Sequence, residues 1–519
     1  MPGTRLTTGW RLRARLKSRP ASTWLRVFRV VFVLPFSFAL IACSVSAYRI
    51  YALNRSISQH PVPAMPPLAR AQSIVIFSPH PDDECLGTAG LMQAAKKAGT
   101  PVHVVYMTSG DGFRFGISRY YHKLNVGPAD FKRYGEMRMG ESRAALKTLG
   151  LAPSDITFLG YPDRGLMAMW REHWNSDGPL LSQYSRTTQV VYRDALHPAS
   201  PFAAKSVLSD VVEMLRTNRP TDVYVTHPND DHDDHSAASA FVALAVQKLK
   251  ASGEPWARNI KLHYYLVHRG DWPVPQGVHP NEPLSPPAQM MACGTTWREL
   301  PLTKDEEDGK LRALNCYKSQ EEMMGRFLKS FVRRTEIFGD LSTADSVMAS
   351  ETLGPARLAS AEDRWPAFKA IADDPTSDNV VISLQKGADI RQLSAYHDGK
   401  YLYVRMDTNG SLLPEVHYVL HIRAADFAAD AADKELAVTI DPRAMVDSRP
   451  LKQARGIVTE WHADHVLARI PLEVISAPTD GLVFIEGVTH FSNVPFDRTG
   501  PRPIRIHIEP QAPQAAPLT

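Results

Sequence analysis

The chain has 519 residues, 44% hydrophobic and 22% charged, a globular rather than disordered composition with room for two or three cores. Its net charge of +4 is a terminal feature: residues 1–50 carry nine Lys or Arg and no acid, which leaves −5 over the rest and argues against a nucleic-acid partner. Four cysteines, Cys43, Cys85, Cys293 and Cys316, are too few for a disulfide framework in a chain this long.

Residues 1–29 read as a basic cytoplasmic segment and 30–48 as a transmembrane signal anchor, because the uncharged run Val30–Tyr48 is about as long as a spanning helix requires. The one-sided basic flank would hold the N-terminus in the cytoplasm and send the rest of the chain out, to a periplasmic or extracellular location. Two other fates fit the same stretch: a signal peptide cleaved after Val45-Ser46-Ala47, or lipidation of Cys43 in Leu40-Ile41-Ala42-Cys43. Residues 49–70, with Pro61, Pro63, Pro66 and Pro67, read as an exposed, semi-rigid linker.

Ile74–Phe77 shows no polar alternation and reads as a buried parallel strand, ended by Pro79-His80-Pro81-Asp82-Asp83-Glu84. An imidazole and three carboxylates at a strand end repel one another unless a cation sits among them. The alternative is a polar loop whose acids cap the following helix, Gly87–Gly99. Val102–Met107 completes a βαβ unit. Phe131–Gly150 reads as a helix, with Arg138 and Glu141 three apart as in a surface ion pair. Ile156–Leu159 is a strand leading to Gly160-Tyr161-Pro162-Asp163-Arg164, where Asp163 is placed to cap its own turn. Trp170 and Trp174 follow, read as core packing or a sugar-stacking pair. Phe202–Thr217 is a helix. The strand Val223–Val225 then ends in His-Pro-Asn-Asp-Asp-His-Asp-Asp-His, with His232 and His235 three apart on one face. Calcium would take oxygens alone, so the histidines favour zinc or another divalent transition metal, one per chain. Ser236–Ala251 reads as a buried Ala-rich helix, Ile260–Val267 as a strand, and Lys310–Phe338 as helical. Cys85 reads as packing.

HPDDE after one strand and PNDDHDDH after a later one resemble the PIG-L/LmbE family of zinc-dependent N-acetylglucosaminyl deacetylases, over Ser73–Glu336. The resemblance implies a Rossmann-like, mostly parallel α/β sheet flanked by helices over residues 71–372. It implies His80, Asp83 and His235 as metal ligands, Asp82 as general base and His232 as stabiliser of the tetrahedral intermediate or donor to the leaving amine. Arg138, within R-x-x-E-x-x-x-A-x-x-x-x-G, and Asp163 would contact the substrate. The implied activity is hydrolysis of the N-acetyl amide of a GlcNAc-containing small molecule, lipid-linked sugar or envelope glycan. An amidase on another N-acyl compound and a non-catalytic, membrane-tethered glycan-binding protein are the rival readings. No G-x-S-x-G elbow or P-loop is present.

Residues 373–510 change to short alternating runs, among them Tyr401–Met406, Tyr418–Ile422, His465–Ile470 and Leu482–Glu486, which predict an all-β sandwich. HDGKYLYVRMDT is weakly similar to strands of family 9 carbohydrate-binding modules. Because both motifs precede this break, the sandwich is expected to be dispensable for the chemistry. Residues 511–519 read as a disordered tail.

Overall fold

The computed structural model describes residues 28–57, 62–69, 71–270, 272–341, 343–345, 347–348, 370–375, 385–427, 435–440, 456–492 and 494–508. Most of the basic segment, the middle of the Pro-rich linker and the C-terminal tail read from the sequence lie outside them. A π-helical turn, Arg29–Val33, runs into α1 (Leu34–Ile57). Within it, Val30–Arg49 is long and apolar enough to cross a membrane. The described residues fall into two compact units, one up to Arg49 and one from Ile50 on.

In the second unit, the sheet among the described residues has the order β3-β2-β1-β4-β5-β7-β6. Its strands are β1 (Ile74–Ser78), β2 (Val102–Thr108), β3 (Ile156–Tyr161), β4 (Asp222–Thr226), β5 (Lys261–Tyr265), β6 (Thr296–Pro301) and β7 (Thr335–Asp340). β3 to β5 run parallel, and β7 and β6 close the edge antiparallel. Helices α2 (Asp83–Ala98), α3 (Arg114–Tyr120), α4 (Pro128–Thr148), α5 (Leu166–Arg171), α6 (Ala204–Asn218), α7 (Asp233–Ala251), α8 (Lys304–Leu314) and α9 (Lys318–Lys329) complete the α/β part. Strands β1 and β4, with apolar centres at Ile74–Phe77 and Val223–Val225, are buried at every position, as helix-covered parallel strands are. The chain leaves β1 for β2 on one side and returns to β4 on the other. The pair β1/β4 is therefore the topological switch point, where such sheets open a crevice at their carboxyl ends.

Two sequence readings change. Lys310–Phe338 is not one helix: it divides into α8, α9 and β7, whose Thr-Glu-Ile-Phe run pairs with β6. Glu336 on β7 is fully buried, bonded to Lys310 Nζ at 2.8 Å and to the backbone N–H groups of Gly90 and Leu91, so it clamps α2 to the sheet. The Pro-rich segment also lies against the sheet, with Val62 buried and the Met65 N–H donating to the Glu299 carbonyl.

The C-terminal part is a two-sheet sandwich. One sheet, among the described residues, orders β10 (Ala370–Asp373), β11 (Ile390–His397), β12 (Tyr401–Thr408), β16 (His465–Pro471) and β15 (Val458–Trp461), with β9 (Val347–Met348) beside β11. The other orders β14 (Glu435–Ile440), β13 (Val416–Asp426), β17 (Asp480–Phe491), β19 (Arg502–His507) and β8 (Ala344–Asp345), with β18 (Val494–Arg498) beside β17. Alternate residues such as Leu420, Ile422, Val404 and Ile485 fill its interior. Tyr396 and Tyr403 stack at 4.6 Å but are buried, so they do not offer a sugar platform.

The outer face of β13 and β17 packs on the α/β part. Ala425, Leu482 and Phe484 enter its core, and the Arg423 guanidinium lies 4.1 Å over the Trp174 ring. Trp170 packs between Phe241 and Phe484. Both tryptophans therefore join the two parts rather than meet a sugar, as burial of such large apolar rings favours.

Candidate metal centre

Both motifs emerge at the switch point. After β1 the backbone turns at Asp82, whose φ of 114° is rare for a side-chain-bearing residue and costs about 1–3 kcal/mol. The strain separates two adjacent carboxylates. Asp83 opens α2 and turns toward β4, while Asp82 faces Arg138, whose Nη2 donates to Asp82 Oδ2 at 3.1 Å. Glu84 braces the turn from below, accepting the Asp82 N–H at 3.1 Å and the Tyr317 hydroxyl.

Three donor atoms converge. His80 Nδ1 is 3.2 Å from Asp83 Oδ2 and 3.1 Å from His235 Nε2, and the latter is 3.0 Å from Asp83 Oδ2. These spacings are close to the edges of a tetrahedron around a cation about 2.0–2.1 Å from each ligand. Each histidine is backed by carboxylate on its other nitrogen. His80 Nε2 faces Asp234 at 3.1 Å and Asp163 at 3.3 Å, and His235 Nδ1 faces Asp230 at 3.2 Å. Such backing fixes the tautomer that leaves the opposite nitrogen free to ligate. Burial works against charge on His235, but Asp230 and Asp83 outweigh it and hold its imidazolium up to about 9. Asp83 is likewise buried, yet His235 and His80 keep its carboxyl well below the usual range. A group this rich in acids calls for positive charge at the point where the three donors meet, and a divalent cation fits there.

His232 lies within reach of the same point, its ring nitrogen within 4.8 Å of the His80 and His235 donors. Its Nδ1 accepts the Asp234 N–H at 3.2 Å, capping α7, which leaves Nε2 as the N–H of the neutral ring. Burial and the neighbouring His80, His235 and His268 hold it neutral, well below its ordinary value. Burial also drives Asp82 up to about 8, with Arg138 opposing and Asp83 reinforcing.

The structure thus gathers His80, Asp82, Asp83, Arg138, Asp163 and His232 around one cleft of about 170 Å³, walled on the far side by Phe113, Met324 and Phe327, with His235 buried against His80 and Asp83. Arg138 is buried and bonds the Gly110 and Pro81 carbonyls besides Asp82. It makes no surface pair with Glu141, which holds Ser319 instead. Asp163 accepts the Gly112 N–H at 2.9 Å and faces His80, so it does not merely cap its own turn. A larger cavity of about 460 Å³ lies away from these donors, between α7 and the sandwich.

Sequence reasoning missed three participants. Asp230 and Asp234 stand in the second motif, but only folding reveals which acid backs which histidine. His268, just beyond β5, lines the cleft with its ring 5.0 Å from His235 and stacked on Phe327. Its signal was its place at the carboxyl end of a parallel strand.

Fold and site together define a Rossmann-like α/β domain with a buried histidine–carboxylate cluster, able to hold a metal, at its switch point. Residues 75–246, about a third of the chain, match the PIG-L family, described as GlcNAc-PI de-N-acetylase. A Corynebacterium urealyticum protein named 1D-myo-inositol 2-acetamido-2-deoxy-alpha-D-glucopyranoside deacetylase is 30% identical over 195 residues, 36% of this chain and 51% of that protein. The match thus spans about half the length of that relative. A Rhodococcus erythropolis protein of the same name is 25% identical over 55% of this chain and 94% of its own length. The structure of Pyrococcus horikoshii N,N'-diacetylchitobiose deacetylase with its inhibitor is similar at 18% identity and a TM-score of 0.33, covering 55% of this chain and 89% of that one.

Proposed function

We propose that this chain is a zinc-dependent N-deacetylase, hydrolysing the acetamide of a GlcNAc-containing glycan or glycoconjugate to acetate and a free amino sugar. The observation that carries the reading is the convergence of His80 Nδ1, Asp83 Oδ2 and His235 Nε2 beside a separate carboxylate, Asp82. The acetamido sugar is suggested by the names of the Corynebacterium and Rhodococcus relatives. Bound to those three donors, zinc supplies Lewis-acid polarisation of a carbonyl and acidification of water. Asp82 accepts a proton from the attacking water and returns it to the leaving nitrogen as the C–N bond breaks. His232 donates from Nε2 to the acyl oxygen as charge develops there. Arg138 and Asp163 line the cleft, and their existing bonds favour holding Asp82 and His80 over gripping the sugar directly.

The test is acetate release from free GlcNAc, lipid-linked GlcNAc, GlcNAc oligomers and peptidoglycan fragments, with and without chelator. Chelator-sensitive release from at least one is expected. Release only from other N-acyl compounds would favour the rival amidase. Stoichiometric zinc without any release would favour a glycan-binding protein.

The N-terminal helix is proposed as an uncleaved membrane anchor with the α/β domain extracytoplasmic, on the strength of the apolar span Val30–Arg49 and the basic residues before it. A reporter fused after Thr519 should be active only outside the cytoplasm, and cytoplasmic activity would refute the orientation.

A further inference from the structure

The loop that leads into His232 and His235, Pro228–Asp233, is gripped from behind by the β sandwich. Arg498, at the end of β18, donates from Nη2 to the Asp230 carbonyl at 3.0 Å, and its Nη1 contacts the Asp233 carboxylate. Arg502, at the start of β19, donates to Asn229 Oδ1, and Asn229 Nδ2 donates to Asp374 Oδ1 at 2.6 Å. Gly500, between the two arginines, has φ +65° and lies against the Pro228 carbonyl and the Ser236 hydroxyl, where an added Cβ would collide. From the α/β side, Arg269 Nη1 reaches the Asn229 carbonyl at 2.8 Å and Asp231 at 2.9 Å.

The gripped loop ends two residues before the ligand His235. Asp230 Oδ1 accepts the His232 N–H at 3.1 Å, and Oδ2 accepts the Val267 and His268 N–H groups at 2.9 Å each. The same Oδ2 faces His235 Nδ1 at 3.2 Å. Displacing the Asp230 backbone therefore moves the carboxylate that aligns a metal-ligating imidazole, the amide of His232 and the entry of His268 into the cleft.

We propose that the C-terminal sandwich is a built-in part of the metal centre, and that Arg498 is a positioning residue acting on His235 through Asp230. The dispensability expected from the sequence break is thereby reversed: motifs that end before the sandwich begins still depend on it for geometry. A charge-assisted bond to the Asp230 carbonyl adds a hold from the sandwich to the loop's bonds with Arg269, Val267 and His268. The inference rests on the reading of His80, Asp83 and His235 as metal donors.

The test is titration of the metal-stripped full-length protein with Zn²⁺ against a competing chromogenic chelator, alongside apo-protein melting. Arg498→Ala should weaken zinc binding about 10–100-fold, the range for loss of a partner behind a ligand. Arg498→Lys keeps the cation and stem but not the two-pronged grip, so it should fold even if the alanine variant does not, and should recover part of the affinity. Arg505→Ala removes an arginine of the same sandwich whose side chain, among the described residues, bonds Asp480, so it controls for general loosening. It should bind zinc as the unaltered protein does. Unchanged affinity in both Arg498 variants, or an equal loss in Arg505→Ala, would overturn the proposal. No zinc binding by the unaltered protein would overturn the donor-set reading, and this inference with it.

Discussion

Asp82 and Asp83 are adjacent in sequence, yet the strained turn gives them different partners, Arg138 and His235, and under the proposed roles their variants should fail differently. Asp83→Ala deletes one of three donors and leaves two imidazole nitrogens 3.1 Å apart with no anion between them. Zinc affinity should fall by more than the roughly 10–100-fold typical of losing a partner behind a ligand, and activity should go with it. Asp82→Asn retains an oxygen for Arg138 to bond, so the turn should survive and zinc should remain near about one per chain. Loss of the proton acceptor should cut turnover by about 10²–10⁴, equivalent to about 2.7–5.5 kcal/mol of barrier. The residual rate should rise with pH as hydroxide forms without the carboxylate. His235→Ala should follow Asp83→Ala in losing metal. His232→Ala should follow Asp82→Asn in keeping metal, with turnover down about 10²–10³. Bound zinc by elemental analysis and acetate release by coupled assay decide the matter. Metal lost in Asp82→Asn but kept in Asp83→Ala would invert the assignment, and metal and activity kept in both would refute the site.

Lys310→Met should destabilise the chain by about 3–5 kcal/mol, because it strands the fully buried Glu336 carboxylate; denaturant melts would reveal it, and a change under about 1 kcal/mol would contradict the clamp on α2. Burial disfavours charge on His263, but its bonds to Asp222 and Asp340 raise its folded value above the ordinary 6.5. That contribution is complete below the unfolded value and is lost as pH rises through the higher folded one, so stability from this site should decline above about pH 6.5. His263→Gln should flatten that part of the stability profile, and an unchanged slope would exclude the site as its source. Cys43→Ser should leave membrane association intact if the helix is an uncleaved anchor, whereas release into the soluble fraction would favour lipidation at Cys43.

Much of the α/β part was legible because its signals are local. A short, β-branched apolar run without alternation, cut off by proline, favours a strand buried on both faces, and His-Pro at the ends of two such runs marks where the carboxyl ends of β1 and β4 open. Histidine and aspartate in that pattern suit a divalent metal before any coordinate is known. Alternation likewise marked several strands of the sandwich, since a half-buried strand must alternate. What the tertiary structure alone decided is relational. The order β3-β2-β1-β4-β5 made neighbours of residues distant in sequence, and only then did Asp163 and Asp234, 83 and 154 positions away, back His80. Arg138 looks in sequence like half of a surface pair, but the packing of α4 buries it against Asp82. The same holds for the contacts of Arg498 and Arg502 with the loop before His232: a long-range bond leaves no periodicity in the chain, because its energy depends on where two distant segments meet and not on what either segment is by itself.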